Sequence, residues 1–199
     1  AGDAINVFHA EAGTANYVND GEFTIAAADL ESSVFRGTVT PGALVADKSY
    51  DWYMFYPYTV QIETPGEKTK GYVTVGSSAS GAQTQSDNNS KAHLAGSNVP
   101  LLGKISNVSS TAMPSVSVNQ ACAFLEINVT NHSGSDLTVS QVIFTGTEPI
   151  VGTYYIDFAG QNVSFTGSGD NFVSDKAKLT VSGGSAIANG GSAKFYLAI

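Results

Sequence analysis

The amino-acid sequence predicts an all-β protein, a sandwich of about eight to ten short strands with little helix. Three observations predict it. Apolar runs are short and are broken by Gly and Asn, which are common turn residues. Several runs alternate between apolar and polar residues, which is the period of a half-buried strand. Only 25–35, "IAAADLESSVF", could form a turn or two of helix.

Composition excludes several classes of protein. The formal net charge of −8 disfavours nucleic acid as a partner, because phosphate contacts need a basic surface. The same charge disfavours an anionic membrane surface. No segment approaches the about 18–20 consecutive apolar residues of a membrane-spanning helix. With 199 residues the chain can bury a substantial core, and we treat 1–199 as one β-sandwich domain.

Strand signals recur through the first half of the chain. The runs 5–10, "INVFHA", and 22–27, "EFTIAA", are short and apolar, and the Asp20-Gly21 pair between them predicts a turn. Two further runs, 50–58 and 71–76, continue the pattern. These runs predict four strands joined by turns.

A polar segment at about 77–98 interrupts the strand pattern. It holds almost no large apolar side chains, which is typical of a long surface loop or flap. The runs on either side of it share one style of patterning. We therefore interpret it as a loop within one domain and not as a linker between two.

The second half alternates more clearly. In 123–131, "AFLEINVTN", one face carries only apolar side chains: Ala123, Leu125, Ile127 and Val129. The run 137–146 changes phase part of the way along, which predicts a β-bulge near Gln141. Further strands are predicted in 153–167 (two strands around Ala159-Gly160-Gln161), in 178–184 and in 193–199.

The aromatic run 50–58, "YDWYMFYPY", allows two interpretations. As a strand it would carry large apolar side chains on both faces, which favours a core strand, and Pro57 would end it or place it at an edge. The alternative is a carbohydrate-binding module of a cell-surface lipoprotein, in which three rings stack on sugars. Those rings would belong to Tyr50, Trp52 and Tyr56.

No catalytic, cofactor or metal site is predicted. The three histidines, His9, His93 and His132, lack the usual metal-ligand spacing, and His9 reads as a residue on a sheet surface. No G-x-S-x-G, P-loop or dinucleotide-binding motif occurs. Cys122 lies beside alternating apolar residues, so we interpret it as a small buried residue and not as a nucleophile. A hydrolase is therefore the weakest functional interpretation of this sequence.

Five segments occur in an order that resembles the fimbrillin-like family of Bacteroides-type pili. They are "GDAINVF" near the start, "YDWYMFYPY", "VPLLGK" (99–104), "ACAFLEINVTNHSGSDLTVSQVIFTG" and the final "KFYLAI". The resemblance covers most of the chain. Each motif is mainly strand patterning, and the order of all five carries the specificity. The chain would then correspond to the N-terminal domain region of the family.

The resemblance implies an antiparallel, Greek-key-type β-sandwich of transthyretin-like kind. It also implies a fimbrial or cell-adhesion protein at the outer membrane or in an extracellular fimbria, anchored through a lipid outside this chain. The abrupt terminal strands fit an excised piece of a longer, processed protein. Partners would be copies of the same chain or sister pilins, joined by β-strand donation. A host glycan or protein receptor stays open as a further partner.

The strands at 5–9 and 193–199 are the predicted groove edges where another subunit would make contact. Alternation places five apolar residues on their inward face: Ile5, Val7, Phe195, Leu197 and Ile199. A strand added there would satisfy unpaired backbone groups and cover apolar surface. The sequence thus favours a structural subunit that has no catalytic activity.

Overall fold

The protein is nearly all β, as the sequence predicts. The computed structural model describes residues 3–29, 34–58, 70–75, 82–95, 99–110, 112, 114–165 and 173–199. Within these residues helix is confined to one 3-10 turn, Ala27–Asp29. The strands are β1 (Ala4–Glu11), β2 (Val18–Thr24), β3 (Ser49–Tyr56), β4 (Lys70–Val75), β5 (Ala82–Gln85), β6 (Leu101–Ser109), β7 (Val118–Gln120), β8 (Phe124–Thr130), β9 (Gln141–Thr145), β10 (Val151–Asp157), β11 (Asn162–Phe165), β12 (Val173–Ser174), β13 (Lys176–Val181) and β14 (Ser192–Ala198).

The described residues form four sheets. Their strand orders are β2-β1-β3-β6-β7, then β11-β10-β12 with β4 also paired to β10, then β5-β13-β9, and finally β14-β8. Neighbours run antiparallel in the first and last of these sheets, whereas β5 runs parallel to β13. The described residues thus hold fourteen strands, more than the predicted eight to ten. Several of the additional strands have only two to four residues, too short to show a period in sequence.

The chain divides into two compact units. The first comprises Ala1–Val73, Pro100–Ala121 and Tyr155–Ser164, and the second comprises Thr74–Val99, Cys122–Tyr154 and Phe165–Ile199. Each unit is therefore assembled from segments that are distant in sequence. That 1–199 is a single β-sandwich domain stays a prediction.

The core of the first unit lies around β3. One face of its sheet contributes a buried cluster of Ile5, Val7, Tyr50 and Trp52, with Met54 and Ile105 among the partly buried side chains packed on it. On the other face Phe8 lies against Phe158, with ring centroids 4.9 Å apart. Large apolar side chains on both faces of β3 explain why both are covered.

The core of the second unit lies between β13 and β14. Alternate residues of both strands are fully or nearly fully buried in one cluster: Ala177, Leu179, Val181, Ala193, Phe195 and Leu197. Side chains of β8 pack against this cluster, including Leu125, Ile127 and Val129. These three belong to the face that alternation in 123–131 predicts to be apolar.

Three local predictions were wrong. The pair Asp20-Gly21 lies inside β2, not in a turn, and the register of β2 against β1 shifts between Val7 and Phe8. The predicted loop at 77–98 contains β5, while 77–81 and 96–98 lie outside the described residues. No bulge explains the phase change near Gln141. Leu137 forms an isolated bridge with Ile187, and β9 begins four residues later with unbroken pairing to β13.

Candidate functional site

The aromatic run lies in the core, not on a binding surface. Trp52 is 5% exposed and Tyr50 is 3% exposed, so neither ring presents a face to solvent. Tyr56 is half-buried, and its hydroxyl donates to a carboxylate oxygen of Asp3 at 3.2 Å. Sugar stacking needs exposed ring faces, so the carbohydrate-binding interpretation of these three residues was wrong. The strand ends at Tyr56, directly before Pro57, as the missing amide proton predicts.

His9 is buried and paired, contrary to the prediction of a sheet-surface position. Its Nδ1 lies 2.6 Å from Oδ2 of Asp20, and the His9 side chain is 1% exposed. The other carboxylate oxygen of Asp20 accepts the backbone N–H of Thr40 at 2.8 Å. The imidazole also contacts the rings of Tyr50 and Trp52, with centroids 5.5 and 5.1 Å away. This arrangement fixes a loop onto the sheet and gives His9 a structural role.

Ile5 and Val7 do not lie at a sheet edge. Both are buried on β1, and β1 has strand neighbours on both sides, β2 and β3. All residues of β1 from Ile5 to Ala10 are buried. The expectation that 5–9 forms a groove edge was therefore wrong in position, although the two side chains do face the core.

Phe195 and Leu197 lie on β14, the last strand of the second unit, and Ile199 follows directly after it. Phe195 and Leu197 are fully buried, and Ile199 packs half-buried against the same cluster. Strand β14 pairs with β8 along one edge, where Phe195 is opposite Ile127 and Leu197 is opposite Leu125. That these residues contact another subunit stays a prediction.

The second edge of β14 is covered by side chains instead of a strand. Oε1 of Gln83 accepts the N–H of Ala198 at 2.9 Å, and its Nε2 donates to the carbonyl of Ala198 at 2.7 Å. Gln85 bonds the next outward groups towards the start of β14. Its Oε1 accepts the N–H of Tyr196 at 3.0 Å, and its Nε2 donates to the carbonyl of Lys194 at 3.1 Å. This edge is therefore occupied.

In contrast, β9 has a strand neighbour on one side only within the described ranges. Gly146 donates its N–H to Asp175, and Val181 donates its N–H to Ser140, which fixes the phase of the pairing with β13. Because hydrogen-bonding direction alternates along an antiparallel pair, the backbone groups of Gln141, Ile143 and Thr145 point away from β13. We call these three residues, together with the Phe144 side chain, the β9 edge.

The β9 edge carries exposed apolar side chains. Ile143 is 53% exposed and Phe144 is 36% exposed. They are neighbours on a strand, so they project from opposite faces of the sheet. They flank backbone groups that have no strand partner within the described residues. An unpaired, apolar edge strand is a template for adding another strand.

The outer edge of β8 differs from the β9 edge in chemistry. The residues that project there, Glu126, Asn128 and Thr130, are exposed and polar. Glu126 accepts a bond from Nζ of Lys194 at 2.6 Å, which holds the pKa of its carboxyl below the ordinary value. Charged residues on an edge disfavour pairing with another chain. Among these edges of the second unit, the β9 edge is the candidate assembly surface.

The described part of the chain shows neither a metal-binding site nor a reactive thiol. No group of three His, Cys, Asp or Glu side chains among those residues is placed to hold a metal ion. Cys122 is half-buried, and burial raises the pKa of its thiol to about 11. A thiol that is protonated at neutral pH is a poor nucleophile. Across the same residues, no helix is long and apolar enough to span a bilayer.

Comparisons with known proteins yielded one structural match. No protein-family model matches the chain, and no curated protein does. The chain is similar to the crystal structure of a "putative cell adhesion protein" from Bacteroides ovatus ATCC 8483, with a TM-score of 0.57 and 12% sequence identity. The similarity covers 99% of this chain and 68% of that one. It shows that the two proteins share a fold.

Sequence reasoning missed the residues that distinguish these edges. Gln83 and Gln85 lie in the predicted loop, although "AQTQ" places two amides at the spacing that shares one face of a strand. Ile143 and Phe144 were read only as part of a longer strand. The signal lay in "VIF". Three successive large apolar residues in a run that otherwise alternates indicate an apolar residue on the outer face.

Proposed function

We propose that this chain is part of a fimbrillin-like cell-adhesion or pilus subunit without catalytic activity, which associates with other subunits by β-strand addition. The observation that carries the proposal is the β9 edge, which has no second strand neighbour among the described residues and exposes Ile143 and Phe144. Support also comes from the all-β fold shared with the Bacteroides ovatus protein and from the five ordered segments of the sequence.

Strand addition at the β9 edge is physically favourable for two reasons. The backbone groups of Gln141, Ile143 and Thr145 gain partners, and a strand from another subunit supplies them regardless of its side chains. Ile143 and Phe144 lose contact with water, which contributes about 25 cal/mol for each Å² of apolar surface covered. Backbone pairing would give affinity, and the two apolar side chains would give specificity.

The proposal includes location and partners. The protein would be displayed at the outer membrane or in an extracellular fimbria, held through a lipid anchor elsewhere in the full protein. Copies of itself or sister pilins would provide the added strand. The β9 edge is proposed in place of the groove edge at 5–9, because β1 lies inside its sheet. Contact of another subunit with 193–199 stays a prediction, and both edges of β14 are occupied within this chain.

A charge placed on the β9 edge tests the proposal. The full secreted protein carrying Ile143→Lys would be treated with an Arg-specific protease, and its size followed by light scattering and electron microscopy. Val45→Lys is the matched control, because Val45 is 50% exposed but lies outside the strands. We expect the parent and Val45→Lys to grow into SDS-resistant ladders and Ile143→Lys to stay small, since a desolvated lysine opposes strand addition.

Other results would contradict specific parts of the proposal. Equal assembly of the two lysine variants would exclude the β9 edge as the contact. A parent protein that stays monomeric under all conditions would exclude strand-exchange assembly. Absence of the intact protein from the cell surface, measured by antibody labelling of unbroken cells, would exclude a role in adhesion.

A further inference from the structure

The six outward backbone groups of Lys194, Tyr196 and Ala198, on the second edge of β14, are hydrogen-bonded, and the contributing residues all come from 83–93. Gln83 bonds both groups of Ala198, and Gln85 bonds the N–H of Tyr196 and the carbonyl of Lys194. The two groups that remain are bonded by Asn89 and His93. Oδ1 of Asn89 accepts the N–H of Lys194 at 2.9 Å, and Nε2 of His93 lies 2.9 Å from the carbonyl of Tyr196.

The glutamines imitate a neighbouring strand because a primary amide has the donor and acceptor of a peptide group. Gln83 and Gln85 are two residues apart on β5, so their side chains leave the same face of that strand. The parallel pairing of β5 with β13, in which Gln83 is opposite Leu179, fixes the backbone from which they project. The two amides therefore reach β14 two residues apart, which is the spacing of the outward-pointing backbone groups along that strand.

Burial makes these bonds obligatory. Gln83 is 1% exposed and Gln85 is 0% exposed, so water does not replace a lost partner. A further bond from Nε2 of Gln85 to the carbonyl of Asp87, at 2.6 Å, holds the second amide in place. The remaining turn packs on the same strand, with Nζ of Lys91 4.9 Å above the ring of Tyr196.

We propose that Gln83 and Gln85 form an intramolecular amide seal that keeps the β14 edge closed to pairing with a strand of a second copy. Asn89 and His93 extend the seal to the N–H of Lys194 and the carbonyl of Tyr196. Without the seal, β14 would expose the N–H and C=O groups of Lys194, Tyr196 and Ala198 as an unpaired edge next to a fully apolar core. The seal does not depend on whether the chain assembles through β9.

The exposed edge would pair with its own counterpart. Two antiparallel copies of one strand edge are self-complementary about a twofold axis, which produces a closed dimer. An opened β14 edge is therefore expected to give dimers, and the amide seal suppresses them.

Hydrogen exchange of the unmodified protein is the first test. The amide protons of Lys194, Tyr196 and Ala198 should exchange as slowly as those of Phe195 and Leu197, which bond to β8. Rapid exchange of the first three would mean that the edge is open, and it would overturn the proposal without any variant.

Single substitutions test each amide separately. Gln83→Met keeps the side-chain volume but loses both bonds, so exchange of the Ala198 amide should accelerate about tenfold or more. Gln85→Met should accelerate exchange of the Tyr196 amide instead. Uniform acceleration across β14, or none, would contradict a position-specific seal.

The double variant Gln83→Met with Gln85→Met tests the suppression of dimers, and it is made in an Ile143→Lys background so that the β9 edge does not contribute. The matched control carries Gln120→Met in the same background, because this glutamine is exposed and lies outside both the seal and the β9 edge. We expect a dimer from the double variant and a monomer from the control, measured by light scattering.

A folded, monomeric double variant would overturn the seal, as would equal dimerisation of the control. If the double variant does not fold, the hydrogen-exchange patterns of the two single variants decide whether the seal exists. Because the background removes the β9 edge, failure of the seal and failure of the proposed function are separate outcomes.

Discussion

Strand β3 of the first unit and strand β14 of the second unit are both buried on both faces, yet their edges are completed differently. Strand β3 has β1 on one side and β6 on the other. Strand β14 has β8 on one side and amide side chains on the other. A neighbouring strand satisfies a backbone whatever its side chains are, whereas amides satisfy it only while those particular residues are present. Edge closure at β14 is therefore more sensitive to sequence.

The largest expected effect comes from a charge in the core beside β14. Leu197→Asp should destabilise the protein by at least about 5 kcal/mol, because it loses a fully buried side chain and introduces an uncompensated buried charge. The measurement is soluble yield, followed by urea unfolding of any folded protein. Ile143→Asp is the control, because that side chain is 53% exposed and should cost less than about 1 kcal/mol. Equal yields of both variants would contradict the assignment of Leu197 to the core.

The equivalent test on β3 is the removal of its tryptophan. Trp52→Ala should cost about 3–5 kcal/mol, since it removes a buried ring that packs beside Ile5 and Val7. In the unmodified protein, Trp52 fluorescence should be blue-shifted, resistant to acrylamide and unchanged by added glycans. A red-shifted, easily quenched emission would restore the carbohydrate-binding interpretation. It would also mean that β3 is not a buried strand.

A moderate effect is expected at Asn89, where the amide seal continues into a turn. Asn89 has a positive φ of 64°, a conformation that Gly adopts without strain and Ala does not. Asn89→Gly should cost about 1 kcal/mol for the bond to Lys194, and Asn89→Ala about 1 kcal/mol more for backbone strain. Urea midpoints of the two variants measure the difference. Identical midpoints would mean that the backbone conformation contributes nothing.

The smallest effect is expected at Lys194, a residue of β14 whose side chain is 45% exposed. The Lys194 ammonium beside Glu126 lowers the pKa of that carboxyl from its ordinary value of 4.5. Lys194→Met should therefore raise the pKa of Glu126 towards 4.5, which NMR titration measures.

The direction in which stability changes with pH follows from the lowered pKa of Glu126. Any stabilisation by this pair is present above the ordinary pKa and is lost as the pH falls through the lowered one. The urea midpoint at neutral pH should barely change, because exposed ion pairs contribute little. An unchanged pKa of Glu126 in the variant would mean that the pair does not form in solution.

Much of the fold could be predicted because the period of a strand is local. Alternation in 193–199 and 123–131 identified β14 with its buried face and β8 with its partly buried one. Aromatic residues on both faces of 50–58 predicted that β3 is covered on both sides, since no soluble surface would carry so many. Each of these inferences needs only the residues of one strand.

The features that decide edge closure could not be predicted, because they depend on contacts between distant segments. Gln83 bonds a residue 115 positions away, so its polar character in sequence indicated a loop. His9 is buried because Asp20 lies beside it, and a single strand pattern does not contain that pairing. The position of β1 inside its sheet likewise depends on which strands become neighbours.

The most direct test of strand addition at β9 is hydrogen exchange of the assembled protein compared with the monomer. Our account predicts that the amide proton of Ile143 exchanges rapidly in the monomer and slowly after assembly, as a strand pairs with the β9 edge. The amides of Tyr196 and Ala198 should be slow in both states, because Gln85 and Gln83 already bond them. Protection that changes at Tyr196 and Ala198 while Ile143 stays rapid would contradict the account and would identify β14 as the assembly edge.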